Sequence, residues 1–152
     1  MQAPFVETGK ILDGAALRKG ARVLIVPFKA GAGVPANENS DRIALMIVKG
    51  IADAFTESGS TLQVLGAENA HEADFVMTGH ITEIAMPSKF DRWLFKTPRN
   101  AVGVEGRLTG AASKEIVLVF TDRIQEHSRK KNHDQLGYDV GKDIGRFILS
   151  AL

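Results

Sequence analysis

The chain predicts an α+β domain, a mixed sheet of about five strands with two helices packed on one face. Three observations predict it. Short apolar runs rich in β-branched residues, such as 22–28, are bounded by Gly and Pro and read as strands. Two longer stretches, from about Asn39 to Ser58 and from Asp134 to Leu152, repeat apolar residues at helical spacing. The last two strands are joined by a short polar turn, which makes that half of the sheet antiparallel. With 152 residues, 44% hydrophobic and 24% charged, the chain can bury a core without disulfides or metal clips. Residues 1–20 read as an extended N-terminal segment and 20–152 as one domain, with no repeat or linker dividing it.

Arg22 to Phe28 is a strand that leaves the sheet at Pro27. The Gly and Pro content of Ala30 to Glu38 makes a loop. Asn39 or Ser40 supplies an N-cap, and Ile43, Met46, Ile47, Gly50, Ile51, Ala54 and Phe55 form the apolar stripe of the helix that follows. Thr61 to Leu65 is a short strand, and 66–73 has room for one helical turn. From Ala73 to Ile84 the residues alternate, with Phe75, Met77, Gly79, Ile81 and Glu83 to one side. Val102 to Thr109 and Ile116 to Ile124 form a hairpin. Leu136, Val140, Ile144, Phe147, Ile148 and Leu152 line one face of the final helix. The first strand–helix–strand unit is most simply parallel.

Composition excludes several kinds of chemistry. There is no cysteine, which removes thiolate zinc, iron–sulfur and thiol nucleophiles. Nineteen Lys and Arg against eighteen Asp and Glu leave a net charge of +1, so any basic footprint is local. No apolar stretch is long enough to span a bilayer as a helix. Gly31 and Gly33 stand between a strand and a helix, where phosphate loops occur, yet GAGVPA is not GxGxxG and no GK[ST] follows; a connecting loop accounts for them better. His71, His80, His127 and His133 show no metal-ligand spacing, and no GxSxG or SxxK is present. No catalytic residue, metal or cofactor is therefore expected.

Two features call for a function or a packing reason. Residues 86–100 connect two strands that two to five residues could join. They hold the only tryptophan, Trp93, with Phe90 and Phe95, and the bases Lys89, Arg92, Lys96 and Arg99 against Asp91 alone. Aromatics interleaved with bases suit an interaction loop for protein, a membrane surface or single-stranded nucleic acid; the other reading is that Trp93 and Phe95 fold back to cap the sheet. In the final helix Gly137, Gly141 and Gly145 recur every fourth residue. Each costs roughly 1 kcal/mol of helix stability relative to Ala, so close approach of another backbone is expected. The sheet beneath is the first expectation and a neighbouring subunit the second.

Val23-Leu-Ile-Val-Pro-Phe28, Ala73-Asp-Phe-Val-Met-Thr-Gly-His-Ile-Thr-Glu-Ile84 and Val104-Glu-Gly-Arg-Leu-Thr-Gly-Ala-Ala-Ser-Lys-Glu-Ile-Val-Leu118 together resemble the bacterial envelope lipoproteins of the TolB N-terminal-like fold. That group includes the curli-secretion, exopolysaccharide and penicillin-binding-protein-activator lipoproteins CsgG, PelC and LpoB, and this chain is most similar to its uncharacterised lipoprotein domains. The likeness spans residues 20–152 and is carried mostly by structural motifs. Ser113-Lys114 replaces the usual turn glycine, and no lipobox cysteine is present.

The resemblance implies a non-enzymatic envelope module acting by protein–protein contact with other envelope proteins or with itself as a homo-oligomer. It also implies a periplasmic place, anchored to the outer membrane through a lipid on a segment preceding Met1. The alternative is a cytoplasmic domain that binds nucleic acid or a small ligand through the same 86–100 loop.

Overall fold

The computed structural model describes residues 5–85, 100–126 and 131–152. Its strands are β1 (Thr8–Ile11), β2 (Arg22–Ile25), β3 (Lys29–Ala30), β4 (Gln63–Leu65), β5 (Phe75–Ala85), β6 (Asn100–Gly110) and β7 (Ile116–Glu126). Its helices are α1 (Gly14–Arg18), α2 (Glu38–Glu57) and α3 (His133–Ser150), with a 3₁₀ turn at Ala67–Glu72.

One mixed sheet runs in the order β1-β7-β6-β5-β2-β4, with β3 also paired to β5. The α+β class and mixed sheet are as expected, but the sheet has seven strands rather than five. The two additional pairings come from elements too short to leave a pattern. β1 lies within residues 1–20, read from sequence as an extension; it pairs antiparallel with β7, and α1 follows it. The strand at 22–28 breaks at Pro27, which lacks an N–H for the ladder, and the chain returns two residues later as β3.

β2 is parallel to both β4 and β5, and β5-β6-β7 form an antiparallel meander. β7 therefore runs in the direction of β2. The helices that follow these two strands, α3 and α2, consequently lie parallel to each other on the covered face. Asn37 caps α2 rather than Asn39 or Ser40. Its side chain accepts the Ser40 N–H at 3.1 Å while Ser40 Oγ accepts the Asn37 N–H at 3.0 Å, so Ser40 closes the box from the third position. Asn132 and Gln135 cap α3 in the same way.

Met77, Leu108 and Leu118 occupy one register row of the covered face and are fully buried with Ile47, Ile51, Val140, Ile144 and Phe147 from the helices. A bulge at Thr82 interrupts β5, so Ile81 pairs with Val104 but Glu83 pairs with Gly103. The simple alternation read from sequence fails there. Glu83 turns to the uncovered face, and Ile84 packs against the core.

The three glycines of α3 meet α2 rather than the sheet. A β-carbon on Gly141 would lie 2.1 Å from the Ile47 carbonyl oxygen, and one on Gly145 would lie 2.6 Å from Ala54 Cβ. Gly137 faces Ile43, with 3.1 Å to its Cγ2. α2 contributes its own glycine: a Gly50 β-carbon would stand 2.2 Å from the Tyr138 carbonyl oxygen. The sheet was the wrong expectation because parallel helices packed side by side on it bring the small residues toward each other. Three polar pairs span the same seam: Arg42 Nε to Asp134 (2.8 Å), Tyr138 Oη to Asp53 (2.6 Å) and Lys142 to Glu57.

Candidate interaction surface

Helices cover one face of the sheet, and the other face carries a shallow groove of about 640 Å³. Strand alternation builds it. In one row across the strands stand Lys10, Val119, Arg107 and Thr78; in a second stand Thr8, Thr121, Glu105, His80 and Lys29. Between the rows runs Gly9, Phe120, Gly106 and Gly79, whose side-chain positions point into the core. Beneath the two inner glycines lie aromatic rings: β-carbons on Gly79 and Gly106 would meet Phe28 at 3.0 Å and Phe120 at 2.7 Å, and the rings stack with centroids 6.3 Å apart.

The surface of the groove is mostly apolar, and charged side chains of the open face stand along it. Lys10, Lys29, Arg107, His80 and Glu105 are exposed. None of the three permanent cations forms an ion pair with another described residue. Glu105 is the one carboxylate among these five. Thr8 and Thr121 join their hydroxyls across β1 and β7. At the far end of the face Arg123 reaches over Gly103, which has no side chain to block it, and grips Glu83 at 2.5 and 3.1 Å. That hydrogen-bonded cation holds the Glu83 carboxyl below its ordinary range.

The interaction residues read from sequence, Lys89, Phe90, Arg92, Trp93, Phe95, Lys96 and Arg99, lie outside the described residues, as does His127. The remaining histidines do not converge. His80 stands on the open face, His71 is exposed beside Glu72, and the ring of His133 lies 2.8 Å from the Ala85 carbonyl oxygen. Among the described residues no group of three or more His, Asp and Glu could hold a metal. Gly31 spends its N–H on the Ile81 carbonyl at 2.9 Å, so the 30–38 loop does not offer that donor to a phosphate.

Two carboxylates have roles that sequence patterns did not announce. Asp74 accepts the backbone N–H groups of Ala21 (2.9 Å) and Arg22 (3.0 Å), and these bonds hold its pKa below the ordinary value. It thereby ties the start of β5 to the start of β2. Asp122 sits in the covered-face row of Ile81 and Val104, only 5% exposed. Its Oδ1 accepts the Glu7 N–H at 3.2 Å, while Oδ2 has no partner. Burial, and next the facing Asp143 carboxyl on α3, push its pKa up to about 8. Burial raises Asp143 as well. Burial thus favours the neutral form of both carboxyls, and Asp143 favours it further on Asp122.

No protein-family model and no curated protein sequence matches the chain. Solved structures do match in fold. The PelC dodecamer from Paraburkholderia phytofirmans superposes with a TM-score of 0.63 at 16% identity, covering 95% of this chain and 98% of that one. A Xanthomonas campestris protein of the DUF330 family gives 0.62 at 11% identity, over 87% and 85%. Lipoprotein GNA1162 from Neisseria meningitidis gives 0.54 at 16% identity, over 83% and 96%. The chain thus shares its fold with PelC over nearly its whole length, and with lipoprotein GNA1162 over most of it.

Proposed function

We propose that this chain is a non-enzymatic module of the bacterial cell envelope that works by protein–protein contact and assembles with copies of itself. The observation that carries this reading is the end-to-end likeness to PelC, a protein crystallised as a dodecamer. A fold common to PelC and a lipoprotein also supports a periplasmic place; outer-membrane tethering is part of the same proposal. The open basic face offers one contact surface, and the Lys89 to Arg99 stretch is proposed as a second, with Trp93 as its anchor.

Light scattering of the purified chain tests this. The expected result is a defined mass several times that of the 16.4 kDa chain, reduced by Trp93→Ala without loss of the circular-dichroism signal. A monomer at high concentration overturns the self-assembly reading. A labelled single-stranded oligonucleotide provides the second arm. Binding that collapses steeply with added salt points instead to a nucleic-acid domain.

A further inference from the structure

The 3₁₀ turn Ala67–Glu72 buries none of its residues, although it lies against β2 and β4 at the end of the sheet away from β1. It carries Glu68 and Glu72 with no Lys or Arg, and its one ion pair among the described residues is internal, between Glu72 and the turn's own His71 at 4.0 Å. The open groove carries the opposite sign, with Lys10 and Arg107 against Glu105. It crosses three strand spacings from β1 to β5, about 14 Å at roughly 4.8 Å each. The turn is kinked at Asn69 (φ −110°, ψ 19°), between its two glutamates. Lys10 and Arg107 are two strands apart, about 10 Å.

We infer that the acidic turn of one copy docks into the basic open groove of the next, with Glu68 and Glu72 facing Lys10 and Arg107. This deepens the self-association reading and rests on it. The two surfaces are different patches, so the contact is head-to-tail, and such contacts close into rings when the rotation allows. Opposite charge at partly desolvated positions also selects the docking register and speeds encounter.

A charge swap in the full chain, read by sedimentation across a concentration series at low salt, tests the contact. Lys10→Glu with Arg107→Glu, and separately Glu68→Lys with Glu72→Lys, are each expected to raise the midpoint concentration of assembly at least tenfold. Arg107→Gln, which removes charge without reversing it, is expected to give a smaller rise. All four reversals in one chain are expected to restore the midpoint to within about threefold. Circular dichroism confirms that each variant is folded. Reversals that leave the midpoint unchanged, or a fourfold variant that fails to recover, overturn this contact while leaving self-association standing. A wild-type chain that stays monomeric throughout overturns the self-association reading itself.

Discussion

Gly50 and Gly141 face each other across the α2–α3 seam so closely that a β-carbon on Gly50 would stand 3.0 Å from Gly141 Cα. Backbone lies against backbone there, so a methyl group has nowhere to go. Gly141→Ala would gain roughly 1 kcal/mol of helix propensity, but it pushes on the Ile47 carbonyl and forces the helices apart over a fully buried stripe. A net loss of about 2–4 kcal/mol is expected in urea denaturation, with Gly137→Ala costing less because its tightest neighbour is a side-chain methyl. Equal, small effects at both positions would contradict the packing described.

The Asp122–Asp143 pair makes stability depend on pH in a definite direction. Asp122 has a folded pKa of about 8 against an ordinary 3.8, so the folded state keeps a proton that the unfolded chain releases. The contribution of Asp122 is then fully present below about pH 3.8 and is lost as pH rises toward 8. Asp122→Asn keeps the shape without the charge. It is expected to flatten that slope and raise stability by roughly 2 kcal/mol or more at pH 8, measured by thermal unfolding at pH 5 and pH 8. A parallel slope in the variant would rule out a raised pKa at Asp122.

Asp74 works in the opposite sense. Its pKa is depressed by the Ala21 and Arg22 N–H bonds, so its contribution is present above the ordinary carboxylate range and is lost as pH falls through the depressed folded value. Asp74→Ala leaves two backbone donors at the start of β2 without their acceptor. A loss of about 1–2 kcal/mol at pH 7, shrinking in acid, is expected from denaturant titrations.

The Arg123–Glu83 bridge is a surface pair, so Arg123→Ala is expected to cost less than about 1 kcal/mol at moderate salt. Thermal unfolding in 0.05 and 0.5 M NaCl checks this. A cost well above that figure in high salt would mean the pair locks the bulge at Thr82.

Much of this architecture is legible in the residues. The stripes of α2 and α3, the β6–β7 hairpin and the long β5 strand follow from period 3.6 and period 2 patterns. What is not legible has physical causes. β1 has four residues and α1 five, too few for any period, and β1 exists by pairing with β7 more than a hundred residues away. The bulge at Thr82 has no sequence mark, yet it reverses which way Glu83 and Ile84 point. The basic face could not be read as a unit because Lys10, Lys29 and Arg107 come from three strands; only Glu105 and Arg107, alternating with Val104, Gly106 and Leu108, signalled that one side of β6 is polar. The glycine ladder of α3 announced a close approach, but not that the partner would be a parallel helix with its own glycine.

Self-assembly into a closed, head-to-tail oligomer is the central claim, and sedimentation velocity of the unmodified chain over a hundredfold concentration range tests it most directly. The account predicts one discrete large species whose sedimentation coefficient stays constant once formed, and which dissociates as salt is raised from 0.05 to 0.5 M. A monomer at every concentration, or a series of species that keeps lengthening without closing, would contradict it.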